Sequence, residues 1–118
     1  MTFRVKRVYE PAEAADGVRV LVDRLWARGL KKSEAKLDAW LKDVAPSTPL
    51  RLWYGHEPKR FTEFRRRYAA ELKGNAAFDE LRKLGRGQVV TLLYGSRELK
   101  LNHAVVLQSL LLRKSRRP

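Results

Sequence analysis

The 118-residue chain carries Lys+Arg 26 against Asp+Glu 13, a formal net charge of +13 at pH 7, with no cysteine and two histidines. Without cysteine there are no disulfides, thiolate nucleophiles or Cys-based metal sites. His56 and His103 stand far apart in sequence, so no metal site is expected, and neither a Walker loop nor a GxGxxG suggests a cofactor.

No apolar run reaches the length of a membrane span, and Met1-Thr2-Phe3-Arg4 lacks a secretory h-region. A soluble, cytoplasmic protein is therefore expected, with one domain over residues 1–118 and a basic tail at 113–118. The positive charge favours nucleic acid, nucleotides or other anions as partners. The plainer reading is a habit of arginine usage spread over solvated helix faces.

In chain order, Phe3-Arg4-Val5-Lys6-Arg7-Val8-Tyr9 alternates apolar and basic residues, the period of a half-exposed strand. Glu10-Pro11 stops it, and Asp16-Gly17 turns the chain into Val18-Arg19-Val20-Leu21-Val22. That run reads as a strand buried on both faces. The connection is short for a parallel crossover, so the two strands are either antiparallel or joined by a minimal crossover. Next, Arg28-Gly29-Leu30-Lys31-Lys32 is a basic loop. Leu37, Trp40, Leu41 and Val44 then fall at helical spacing behind a partial cap at Ser33. Ala45-Pro46 ends that helix, and Ser47-Thr48-Pro49 starts another, with Thr48 capping and Pro49 in the first turn.

The clearest helix runs from Pro58 to Lys73, with Phe61, Phe64, Tyr68 and Leu72 on one face and a crowd of basic residues on the rest. Phe78, Leu81 and Leu84 mark another, ended by Gly85-Arg86-Gly87. Gln88–Tyr94 is a second buried strand. Asn102 caps a last helix that turns Ala104, Val105, Leu107, Leu110 and Leu111 inward. The fold class that follows is α/β: a small, mostly parallel sheet of about three strands flanked by helices.

In such sheets ligands sit beyond the carboxyl ends of the strands. If the two buried strands are parallel, their exits share one cleft. The first offers Asp23, Arg24 and Arg28; the second offers Tyr94, Gly95, Ser96 and Arg97, followed by the helix start Asn102-His103. A glycine turn leading to a helix N-terminus suits a phosphate or carboxylate, and an arginine can close on it bidentately. If the cleft is catalytic, Asp23 or His103 moves the proton while Arg24 and Arg28 position the anion. Each residue also has a structural reading: Asp23 as an ion-pair partner, Trp26 as core, Ser47 as a cap. His56, in a loop between helices, can reach the same crevice.

Two rival functions remain. A nucleic-acid-binding module would use Lys59, Arg65, Arg66 and Arg67 together with Arg113, Arg116 and Arg117 of the tail. A small interaction protein would form a homodimer through an aromatic patch including Trp53 and Tyr54.

Several stretches resemble the small, YeaO-like branch of the domain of unknown function 488 family. They are Lys6-Arg7-Val8-Tyr9-Glu10-Pro11, Asp16–Trp26, Arg28-Gly29, Ala45-Pro46-Ser47-Thr48, Phe64-Arg65 with Tyr68 and Leu72, and Leu92-Leu93-Tyr94 with Asn102-His103-Ala104. The Asp-Arg-Leu-Trp-x-Arg-Gly element is the most specific, although this chain has Ala27 where the branch usually has proline. The resemblance implies a compact α/β domain with a largely parallel sheet, and no activity. More distant members place cysteines where Tyr94 and Asn102 stand, so their thiol or metal chemistry does not carry over.

Overall fold

The computed structural model describes residues 1–113. Strand β1 (Thr2–Arg7) is followed by a 3-10 turn at Ala14–Asp16 and strand β2 (Val18–Leu21). Then come helix α1 (Lys32–Ala35), strand β3 (Ala39–Trp40), a 3-10 turn at Lys42–Val44 and helix α2 (Thr48–Tyr54). A 3-10 turn at Pro58–Arg60 leads into α3 (Phe61–Leu72), and α4 (Ala76–Leu84), β4 (Val89–Tyr94) and α5 (His103–Leu112) complete the order. The sheet order is β1-β4-β2-β3, with every neighbouring pair parallel. The fold is α/β.

The first two strands are thus parallel without being neighbours, because the last strand lies between them. Val20 pairs with Leu92 and Leu21 with Leu93 on one side of β2, while Val5 pairs with Leu92 across the other edge of β4. Alternation along the strands feeds two cores. Phe3, Val20, Val22, Val90, Leu92 and Tyr94 meet the helices α2 to α5 on one face. Leu21, Leu93 and Val8 meet Ala27, Ala35, Trp26 and Trp40 on the other.

The helix expected over Leu37–Val44 does not form. Lys36 enters the left-handed region at φ 47 and closes α1, and the chain then extends along β2. The exposed backbone edge of a buried strand must be paired, and this short segment pairs it. Asp38 N donates to Arg19 O at 2.8 Å and Leu41 N to Leu21 O at 3.0 Å. The helical spacing is met by two different cores instead: Leu37 and Trp40 pack in the smaller cluster, Leu41 and Val44 in the larger. Ser33 consequently lies inside α1 rather than capping it. The sheet has four strands rather than three.

Smaller shifts follow the same logic. Ser47, not Thr48, caps α2, its hydroxyl accepting from Leu50 N at 3.3 Å with Pro49 in the first turn. On α5 the buried residues are Ala104, Val106, Leu107 and Leu111, with Val105 and Leu110 half-buried.

Candidate functional site

Parallel pairing on both sides of β4 brings three strand exits to one edge. Val8 N and Val22 N donate to Tyr94 O and Leu93 O at 2.8 and 3.0 Å. Just beyond, Asp23 Oδ2 accepts from Gly95 N at 2.8 Å, tying the exit of β2 to that of β4. A Cβ at Gly95 would sit 3.2 Å from that carboxylate oxygen, so the turn has little room for a side chain. Arg7 holds the same turn from the opposite side, donating from Nε to Ser96 O at 2.9 Å and from Nη2 to Gly95 O at 3.1 Å.

His103, the first residue of α5, places Nε2 3.1 Å from Val22 O and 3.0 Å from Asp23 Oδ1. The carbonyl oxygen beside Nε2 favours the tautomer that carries its proton there, with Nδ1 as the acceptor. Trp40 Nε1 donates to Asp23 O at 2.7 Å, so the short third strand also braces this residue. Arg24 reaches back to Ala45 O and Pro46 O from one terminal nitrogen, while its buried Nε has no partner.

These groups open onto a cavity of about 300 Å³. Asp23, Arg24, Arg28, Gly95, Ser96 and His103 line it, joined by Arg51, Tyr54 and Phe64 from the helices, by His56, and by Tyr9, Leu25 and Trp26. Asp23 is the one carboxylate among the described residues that line the cavity. His56 adopts φ 58, a left-handed conformation that non-glycine residues seldom take, in the bend after α2. Arg51 and Tyr54 lie one turn apart on α2, a spacing that puts them on one helix face. Burial, with the Glu98 charge adding to it, pushes the Tyr54 phenol up. It therefore stays a neutral donor, to Leu101 O at 2.6 Å.

Three of the residues expected at the cleft stand apart from it. Tyr94 turns into the larger core, 3% exposed, where burial raises its phenol. Asn102 is buried and occupied at both ends, Oδ1 accepting from Val105 N at 3.0 Å and Nδ2 donating to Glu98 O at 2.8 Å. Arg97 is exposed and does not line the cavity. Arg7, Arg51, Tyr54 and Phe64 escaped sequence reading: Arg7 ends β1, whose direction the sequence leaves open, and packing of the helices carries the other three to the strand exits. Arg7 and Arg51 had one available signal, a guanidinium adjoining an apolar run, which many other arginines here share.

The rival basic surface has its own geometry. On α3, Glu63 receives Arg66 at 2.5 and 2.9 Å and Arg67 at 2.8 Å, which holds its carboxyl down at about 2. The guanidiniums of Arg60 and Arg67 lie 5.2 and 4.3 Å from the Trp53 ring centroid. Lys59, Arg65 and Arg113 are exposed, whereas Arg116 and Arg117 lie outside the described residues. No described helix is long and apolar enough to cross a membrane.

Comparison with known proteins bears on the family alone. The chain is 51% identical over 108 residues to the uncharacterized protein Rv3073c of Mycobacterium tuberculosis, covering 92% of each. It is 44% identical over 108 residues to the uncharacterized protein YeaO of Escherichia coli, covering 91% of this chain and 94% of that protein. No solved structure matches. The chain belongs to DUF488-N3i, the family described as the inactive DUF488-N3 subclade, whose model matches residues 2–117.

Proposed function

We propose that the cleft at the strand exits binds a small anionic ligand and holds it without turning it over. The observation that carries this reading is the balance of charge around the cavity. Arg24, Arg28 and Arg51 line it, while its one described carboxylate, Asp23, already accepts from Gly95 N and lies against His103. Three guanidiniums against a single carboxylate, whose Oδ2 is taken by Gly95 N and whose Oδ1 lies beside His103, suit a phosphate or carboxylate that can accept bidentate hydrogen bonds. The unpartnered Nε of Arg24 supports the same reading, because a buried donor without an acceptor is costly unless something supplies one.

Binding is favoured over catalysis for two reasons. Asp23 and His103, the proton-transfer candidates, are engaged in joining β2, β4 and α5. The description of the family as inactive points the same way. The test is calorimetric titration of inorganic phosphate into the purified protein and into Arg24→Gln and Arg51→Gln. The expected result is saturable binding that weakens about tenfold or more in each variant, a loss of roughly 1.4 kcal/mol. Heat that does not saturate, or saturates equally in all three proteins, removes the reading.

A further inference from the structure

We propose that the ligand of this cleft is a phosphomonoester on a flat apolar body, an aryl phosphate in chemical class, rather than a sugar phosphate or a free anion. The inference rests on the anion-binding reading and narrows it.

The size of the recess is the first argument. About 300 Å³ is at the small end of pockets that enclose organic ligands, and it leaves space beyond an inorganic anion. Something must fill the rest of it, and the walls define what.

Part of the wall is aromatic, and the phenol and indole groups of that part are already engaged. Tyr54 OH donates to Leu101 O at 2.6 Å, Trp26 Nε1 to Leu30 O at 2.8 Å, and Tyr9 OH to Arg28 O at 2.7 Å. The phenol and indole donors are thus directed into the protein, and the rings present carbon to the cavity. Tyr54 and Phe64, both lining the recess, stack on each other at 4.4 Å with their planes 19° apart, which fixes them as a rigid apolar unit. Leu25, 66% exposed, adds aliphatic surface on the β2 exit loop. Sugar hydroxyls laid against these rings and Leu25 would find no partner there, and each unpaired group carries a desolvation cost. A planar hydrocarbon has none to lose.

Charge and carbon are interleaved on the same elements. Arg51 and Tyr54 share a face of α2, and the loop after β2 supplies Arg24 and Arg28 on either side of Leu25 and Trp26. A ligand reaching the guanidiniums therefore lies against the rings as well. A dianion matches the excess of guanidiniums better than a single carboxylate does.

The test is calorimetry of the intact chain at pH 7 with phenyl phosphate, glycerol 3-phosphate, inorganic phosphate and phenol, each repeated on Arg51→Gln, whose side chain is exposed in the wild type. Phenyl phosphate should bind at least about tenfold more tightly than glycerol 3-phosphate. Arg51→Gln should weaken both, and phenol should bind weakest. Equal affinity for the two esters, with the Arg51 dependence intact, overturns the aryl assignment and leaves the anion site standing. Phenol binding as tightly as phenyl phosphate overturns the phosphate half. No binding by any phosphate-bearing probe overturns both the inference and the reading beneath it.

Discussion

At Asp16, three donors converge on one buried carboxylate. Arg19 Nη1 lies 2.5 Å away, Lys6 Nζ 3.1 Å and the Glu13 backbone N–H 3.0 Å, with the three side chains of Asp16, Arg19 and Lys6 only 6%, 5% and 11% exposed. Burial alone pushes the Asp16 carboxyl up, but the Glu13 N–H, Lys6 and Arg19 outweigh it and hold the group below its ordinary 3.8. A folded-state pKa below the unfolded one stabilises the protein above the unfolded value, and that contribution is lost as pH falls through the folded value. Lys6 has the opposite sign: burial lowers it, yet Glu13 and Asp16 raise it above 10.5. Its contribution is complete below the unfolded value and disappears as pH rises through the folded one. Asp16→Asn should therefore cost about 3 kcal/mol at pH 7, because Arg19 stays charged and buried without its partner. It should also flatten the acid arm of stability below about pH 4. Urea denaturation at pH 7 and pH 3 reads both, and a loss under about 0.5 kcal/mol would mean the cluster contributes nothing.

Among the elements, the turn from Ala14–Asp16 into β2 is closed against main chain. Gly17 sits at φ +64, and a Cβ there would meet Val89 O at 2.3 Å, at the start of the central strand. Gly17→Ala combines a disfavoured backbone with a clash against main chain, so a loss of about 2 kcal/mol or more is expected by denaturant titration. A change within about 0.5 kcal/mol would show that the turn relaxes freely. This turn was legible in the sequence because Asp16-Gly17 announces itself chemically and an unbroken apolar run follows. The long helices α3 and α4 were legible by their periodicity. The third strand was not: two residues carry no period, and Leu37, Trp40, Leu41 and Val44 mimic a helix because two cores on opposite faces of the sheet claim them. For the candidate site, the strand exits with Asp23, Arg24 and Gly95 could be anticipated from topology alone. Arg51, Tyr54 and Phe64 could not, since each reaches the exits through packing between elements far apart in the chain, and Arg7, the last residue of β1, joins them only because β1 runs parallel to β4. Arg7 offers a check at this scale. Its guanidinium spans Ser96 O and Gly95 O, so Arg7→Ala should loosen the β4 exit and raise amide exchange at Gly95 and Ser96, sparing Val90 and Leu92. Uniform acceleration along β4 would instead mark Arg7 as a contributor to global stability.

Over the whole molecule, a formal charge of +13 attracts any polyanion, which makes a cleft and a sticky surface hard to tell apart at low salt. Their responses to ionic strength differ. Contacts between exposed basic side chains and nucleic-acid phosphates release counterions, so affinity falls with salt in proportion to the phosphates neutralised. The outer face of α3 is poorly prepared for this, because Glu63 holds Arg66 and Arg67 and the Trp53 ring flanks Arg60 and Arg67. Of the cleft's cations Arg24 is half-buried, while Arg28 and Arg51 are exposed at its rim, so a single small anion there engages few charges and its affinity depends less steeply on salt. Raising salt from about 50 to about 200 mM should thus weaken a duplex contacted through six phosphates by about a thousandfold, but phosphate in the cleft by less than about tenfold. Arg65→Ala, on the exposed face of α3, should leave the cleft's affinity for phosphate unchanged, and Arg51→Gln should abolish most of it at either salt. If phosphate affinity instead collapses with salt and follows Arg65, the anion is held by the general field of the surface, and the recess at the strand exits is not where it binds.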